Sequence, residues 1–150
     1  MMALGEPCLK EAIVKLASVR IFIVDDCERW RRAICSILQP YNDLEVICEC
    51  SNGVEAVEKS AALQPDLVLL DIGLPHLNGL EAARQIREVS PGSRILFLTS
   101  YDNAQLVKEV LRIGALGFVV KSDAASDLLP AVSAVIHDQL FVRRRLLPDA

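Results

Sequence analysis

The sequence predicts an α/β fold: one doubly wound, five-stranded parallel sheet of order 2-1-3-4-5 with helices on both faces. Three observations carry this. Four short segments are almost uninterruptedly apolar, as strands buried on both faces are. Segments of helical period separate them, and the two kinds alternate strictly five times. Right-handed crossovers turn such an alternation into a doubly wound sheet.

The first strand is Ile21-Phe22-Ile23-Val24, in the stretch RIFIVDDCERW, and it runs straight into two carboxylates, Asp25 and Asp26. The helix that follows places Trp30, Ala33, Ile34, Ile37 and Leu38 on one apolar stripe, turns Arg29, Arg31 and Arg32 outward, and ends before Pro40. Trp30 reads first as a core-facing anchor that can also report on the acid pair. The second strand, DLEVICEC over 43–50, alternates polar and apolar residues, which places it at a sheet edge. Its Cys48 and Cys50 share a face as small hydrophobes.

The second helix carries Val54, Val57 and Ala61 and stops at Leu63 before Gln64-Pro65. Strand three is Leu67-Val68-Leu69-Leu70 and ends in Asp71; the helix after it carries Leu80, Ala83 and Ile86 and is closed off by Ser90-Pro91-Gly92. Strand four, Ile95-Leu96-Phe97-Leu98, ends in Thr99-Ser100. The fourth helix carries Val107, Val110 and Leu111, with Gly114 as its C-cap. Strand five, Phe118-Val119-Val120, ends in Lys121, and the last helix carries Leu128, Val132, Val135 and Ile136.

The 150 residues amount to one ordinary domain, and 52% hydrophobic with 24% charged residues is a globular composition. A net charge of -4 gives no overall attraction to nucleic acid. Five cysteines, Cys8, Cys27, Cys35, Cys48 and Cys50, have no metal-site spacing and leave one unpaired in any disulfide scheme, which suits reduced thiols. The N-terminal stretch is broken by charges and a proline, and no apolar run approaches transmembrane length. A soluble, cytoplasmic protein is expected, with neither a membrane nor nucleic acid contacted directly.

In a sheet of this order the ligand crevice lies beyond the carboxyl ends of the strands, at the switch point between strands one and three. Asp25, Asp26 and Asp71 meet there. Three carboxylates repel one another unless a cation joins them, and an all-oxygen donor set suits Mg2+, with Mn2+ as the alternative ion. Mg2+ takes one or two carboxylates and leaves room for a phosphate. Thr99 and Ser100 offer hydroxyls to a phosphoryl oxygen, and Lys121 an ammonium. No glycine-rich phosphate cradle and no Ser-His-Asp arrangement is present, so a carboxylate is the simplest nucleophile.

The acid pair Asp25-Asp26, Asp71 in LVLLDIGLPHLNGLE, Thr99 in ILFLTS and Lys121 in GFVVKS resemble the receiver domain of two-component response regulators. The wording DIGLPHLNGLEAARQIR is similar to the nitrate-regulator/LuxR-type branch, whose members carry a helix-turn-helix domain. The resemblance implies a flavodoxin-like fold and a division into an N-terminal extension (1–19), a receiver (20–138) and a C-terminal tail or truncated linker (139–150). It implies that Asp71 is the phosphoacceptor. Asp26 and Asp71, with the backbone carbonyl of Gly73, would hold Mg2+ directly, and Asp25 largely through water. Lys121 and Thr99 would engage the phosphoryl group, and Phe118 would turn inward as Thr99 shifts. Gly73 and Tyr101, two residues past Asp71 and Thr99, would set phosphoryl lifetime.

The implied function is a phosphoacceptor signalling domain, not an enzyme acting on other substrates. Its implied readout is the surface of the fourth helix, fifth strand and fifth helix. The expected partners are a sensor histidine kinase, a downstream protein or a DNA-binding output domain, and a second copy in a homodimer. Three alternatives stand beside it, the first being the input half of a DNA-binding transcriptional regulator rather than a stand-alone regulator. A phosphorylation-independent pseudo-receiver scaffold would lack site residues, and none is missing; an aspartyl-phosphate phosphatase would carry D-x-D after its first strand, which adjacent Asp25-Asp26 does not match. Lys121 is followed by Ser122 where many receivers have proline. His76 and His137 read as surface residues, Arg143, Arg144 and Arg145 as a solubilising end, and residues 12–16 as a helical turn.

Overall fold

The computed structural model describes residues 18–147. The sheet is parallel throughout and contains β1 (Val19–Val24), β2 (Leu44–Cys50), β3 (Leu67–Leu70), β4 (Arg94–Thr99), β5 (Gly117–Val120) and β6 (Phe141–Val142), in the order β2-β1-β3-β4-β5-β6. The expected order of the first five strands is thus observed, with β2 at one edge. The sixth strand is new: chain expected to trail off as a tail returns to the sheet and covers β5. The turn at Asp138, in the left-handed region at φ 60, redirects the chain. Phe141 N–H then donates to Leu116 O at 2.9 Å. The expected turn over 12–16, and nearly all of the extension over 1–19, lie outside the described residues.

The helices are α1 (Glu28–Leu38), α2 (Gly53–Leu63), α3 (Gly79–Val89), α4 (Ala104–Ile113) and α5 (Ala124–Ile136), and a 3-10 turn, Lys121–Asp123, leads into α5. Alternate strand residues feed two cores, as period-two side-chain alternation requires. Ile21, Ile23, Leu67, Leu69, Leu96, Leu98 and Val119 pack against Ile34 and Leu38 of α1 and Leu128, Ala131, Val132 and Val135 of α5. Phe22, Val24, Val68, Leu70, Phe97 and Phe118 face α2, α3 and α4. Each fully buried Leu, Ile, Val or Phe contributes about 1.5–3 kcal/mol of transfer free energy, so this two-sided burial is what holds the crevice rim in place.

Local chemistry sets the helix ends. Asn52, Asn78 and Asn103 cap α2, α3 and α4 by accepting N–H hydrogen bonds from Glu55, Glu81 and Leu106 at 2.9, 3.0 and 2.7 Å. Gly114 ends α4 at φ 104, where a side chain would be strained. The helix stripes hold with departures in two helices: in α1 Ala33 is exposed while Ile34 and Leu38 are buried, and in α2 the buried face is Gly53, Ala56 and Ser60, while Val54 is 45% exposed and Ala61 is also outside. Small residues let α2 lie close to its neighbours, and a Cβ on Gly53 would fall 1.9 Å from Leu77 O. Cys48 packs beside buried Cys50 on the same core, and Cys27, Cys35, Cys48 and Cys50 are free thiols. Burial pushes the Cys50 thiol up to about 11. Among the described residues no helix is long and apolar enough to cross a membrane.

Candidate functional site

Backbone pairing extends the sheet by one residue at each acid. Asp25 N–H donates to Cys50 O at 3.1 Å and Asp71 N–H to Val24 O at 3.0 Å, so both carboxyl groups leave the rim side by side. Lys121 comes from the end of β5 and reaches across. Its Nζ lies 2.7 Å from Asp25 Oδ2 and 3.0 Å from Asp71 Oδ2. The other oxygens are held by the loops: Asp25 Oδ1 accepts Cys27 N–H at 2.8 Å and Asp71 Oδ1 accepts Ile72 N–H at 2.7 Å.

Asp25, Asp71, Thr99 and Lys121 are buried, whereas Asp26 is exposed. Burial raises the Asp25 carboxyl above the ordinary range, with help from the charge on Asp71 and against the hydrogen bonds from Lys121 and Cys27. Burial by itself would lower Lys121, but hydrogen bonds to Asp25 and Asp71 and their charge outweigh it, and the ammonium sits above the usual lysine range. One carboxylate oxygen from each of Asp25, Asp26 and Asp71 lies within 4.8 Å of the others. This donor set fits a hard divalent cation: all oxygen, with Asp26 open to solvent so that a metal can keep waters.

The sequence brings together what it was expected to bring together at this rim, with additions. Thr99 is fully buried, and its Oγ1 accepts Tyr101 N–H at 3.4 Å. Gly73 and Tyr101 are neighbours, since a Cβ on Gly73 would sit 3.6 Å from the Tyr101 hydroxyl. Phe118 lies on β5 beside Phe97 of β4. It is interior, at 1% exposure, because its side chain points into the core under α4, in the cluster that holds Phe97, Val107, Val110 and Leu146. All peptide bonds among the described residues are trans, including the one after Lys121.

Two residues of α1 also reach the site, Trp30 in keeping with its expected place beside the acid pair and Arg31 against its expected outward direction. Trp30, half-buried, places its ring 5.1 Å from the Lys121 ammonium, a cation–π contact that helps fix the long side chain. Arg31, expected to point outward, folds back so that Nη1 donates to Asp25 O at 2.5 Å and Nε pairs with Glu49 at 3.2 Å. The signal for both is position: four and five residues past Asp26, they lie one helical turn above the acid pair. His76 and His137 are exposed, as expected.

A parallel doubly wound sheet with an acid cluster and a buried lysine at its switch point defines an α/β protein with a charged crevice at the carboxyl rim of its strands. Residues 21–133 match the model of the response regulator receiver domain. The transcriptional regulatory protein LnrK of Bacillus subtilis is 38% identical over 117 residues, covering 78% of this chain and 53% of that protein. A protein-glutamate methylesterase/protein-glutamine glutaminase of Hahella chejuensis is 31% identical over 125 residues, 82% of this chain and 32% of its own length. The crystal structure of a LuxR-family two-component response regulator from Aurantimonas sp. SI85-9A1 superposes with a TM-score of 0.81 at 27% identity, covering 86% of this chain and 92% of that one. The chain belongs to the response regulator receiver domain family, and is the receiver domain of a two-component response regulator, with the flavodoxin-like fold. It spans about half the length of LnrK and a third of the methylesterase.

Proposed function

We propose that this chain takes a phosphoryl group onto Asp71 from a phosphohistidine of a sensor kinase and changes its contacts with other proteins as a result. The observation that carries the reading is the Asp71 carboxylate held 3.0 Å from Lys121 beside two further acids. In the transfer an Asp71 oxygen forms a bond to phosphorus as the N–P bond to the kinase imidazole breaks, and the imidazole nitrogen keeps the electron pair. Lys121 would exchange its Asp71 contact for a phosphoryl oxygen, and the Thr99 hydroxyl, at the end of β4, would donate to another. Asp25, Asp26, Asp71 and the Gly73 carbonyl would hold Mg2+, or Mn2+ in its place; the ion supplies charge neutralisation for the incoming phosphoryl oxygens. Gly73 and Tyr101, neighbours through the Tyr101 hydroxyl, would govern access of water to the product and so its lifetime.

The signal passes by charge: a phosphoryl group adds negative charge that favours whichever conformer brings Lys121 and Thr99 closest. The chain acts as a phosphoacceptor rather than as an enzyme on external substrates. Residues 20–138 would be the receiver unit, with β6 packed back onto its sheet. Relatives as different as a transcriptional regulator and a methylesterase share this unit, which is compatible with a DNA-binding domain, a separate protein or a second copy as its downstream partner. A cytoplasmic location follows from a kinase donor of this kind.

Metal binding is testable on its own. The sequence has one tryptophan, Trp30, stacked on the site lysine. Titration with Mg2+ is expected to give a saturable change in its fluorescence, and Asp26→Asn, which removes the exposed ligand while leaving the core intact, to weaken binding at least tenfold. No response in fluorescence or calorimetry would remove the basis for the proposal.

A further inference from the structure

The two halves of α5 differ in what covers them. At its N-terminal half the arginines expected to be a solubilising end are paired: Arg143 Nε lies 2.7 Å from Asp127 Oδ2, and Arg145 bridges Asp102, at 2.7 Å, and Asp123, at 3.1 Å. Beside its C-terminal half, where the strands begin, a groove of about 410 Å3 runs between the loop before β2 and the helix. Tyr41 and Leu44 form one wall, and Leu129, Pro130 and Ile136 the other. Leu44, Leu129 and Ile136 are half-buried and pack on the core beneath, while Tyr41 is 44% exposed. Among the described residues nothing covers this apolar trough, and a patch of that kind marks a place where something docks.

The described chain enters β1 at the floor of the groove. Val19 N–H donates to Asp43 O at 2.7 Å, Val19 pairs with Leu44, and its side chain packs on the same core as Leu129 and Ile136. The sequence that runs into it, LKEAIVKLAS over 9–18, sets Leu9, Ala12, Ile13 and Leu16 at i, i+3, i+4 and i+7, with Lys10, Glu11 and Lys15 off that stripe. Leu16 is three residues before Val19, so the chain between them spans at most about 11 Å. As a helix, Leu9 to Leu16 would rise about 10 Å, the same as Leu129 to Ile136 on α5. So short a stretch does not hold a helix in water by itself; its apolar stripe needs a surface against it.

We infer that the groove between the entry to β2 and α5 is the seat of this chain's own residues 9–16, with Leu9, Ile13 and Leu16 set into it as one helical face. The segment reaches the groove directly from the strand it precedes, and while seated it closes that face to other proteins. The seat lies at the opposite end of the strands from Asp71 and does not rest on the proposed function.

Amide exchange read by mass spectrometry on the full chain tests this. Pro130→Glu/Ser133→Glu places two carboxylates in the trough at exposed positions of α5, where glutamate is a good helix former and the core is untouched. Residues 9–17 of the wild type are expected to exchange at least tenfold more slowly than in this double variant, with β3 and β4 alike in both. Equal rates over 9–17 would overturn the seat. Ile13→Asp alters no described residue and decides alone should the double variant disturb β3 and β4. It should speed exchange of 9–17 at least tenfold and of 41–45 and 133–137 at least threefold. Acceleration of 9–17 alone would mean that the stripe packs elsewhere, and no acceleration that it packs on nothing; either result overturns the inference. Repeating the wild-type measurement over a hundredfold range of concentration, with mass from light scattering, separates the chain's own segment from that of a second copy. Protection that is constant in the monomer supports the inference, and protection lost on dilution together with a dimer contradicts it.

Discussion

Replacing Lys121 by methionine is expected to cost about 3 kcal/mol of stability without divalent cations, and substantially less with saturating Mg2+. The ammonium is 7% exposed and is the shared partner of Asp25 and Asp71, whose side chains are 2% and 9% exposed. Removing one member of a buried ion pair costs about 3–5 kcal/mol, because the charge left behind is unpaired. Asp25 moderates the loss by taking a proton, since burial already holds its carboxyl above the ordinary range. A carboxyl raised in the folded state binds a proton that the unfolded chain has released. The variant's stability is therefore fullest below the ordinary Asp value of 3.8 and falls as pH rises through the higher folded value. Mg2+ would occupy the same oxygens without competition from the ammonium, so it should stabilise the variant more than the wild type; saturation at a hundred times Kd adds about 2.7 kcal/mol. Urea unfolding at neutral pH with and without Mg2+ measures both quantities. A loss under 1 kcal/mol, or one indifferent to Mg2+, would mean that Lys121 is not the charge that holds the two acids together.

Gly79→Ala is expected to be comparably severe for a different reason. A Cβ at this position would lie 2.0 Å from Asp71 O and 2.7 Å from Ile72 Cα, both backbone atoms that no rotamer change can move aside. Gly79 is pinned there, as its N–H donates to Ile72 O at 2.8 Å and Asn78 caps the helix it begins. Overpacking of this kind costs about 3 kcal/mol, roughly 10 °C in Tm for a domain of this size. The displaced backbone is that of the proposed phosphoacceptor, so phosphoryl uptake should fall along with Tm. Gly92→Ala is the control: nothing lies within 4 Å of its Cβ position, and its Tm should stay within a degree or two. Equal Tm values for the two variants would show that the close approach beneath Asp71 is not structural.

The sheet was legible because strands buried on both faces leave an unmistakable apolar run, and because β2, at the edge, alternates. The site was legible because topology alone brings strand ends together: Asp25, Asp71, Thr99 and Lys121 each follow an apolar run directly. What could not be read depended on tertiary packing. β6 has two residues, too few for any period, and exists only because the chain turns at Asp138 and meets the open side of β5. The stripe of α2 was misplaced because Gly53, Ala56 and Ser60 bury more completely than Val54 where helices pack closely. Arg31 looked like surface, yet it reaches the Asp25 carbonyl from one turn above it, and Trp30, packed against the core as expected, also lies over Lys121. Asp127 and Arg143, sixteen residues apart, give no local signal of their pairing.

The central claim is that Asp71 accepts a phosphoryl group in the presence of Mg2+. Intact mass after brief incubation with acetyl phosphate and Mg2+, quenched rapidly in acid, tests it directly in wild type and Asp71→Asn. The account predicts one phosphoryl adduct on the wild type, none on Asp71→Asn and none on either protein with Mg2+ chelated. An adduct of equal yield on Asp71→Asn, or its absence from a wild type shown to bind Mg2+, would contradict it.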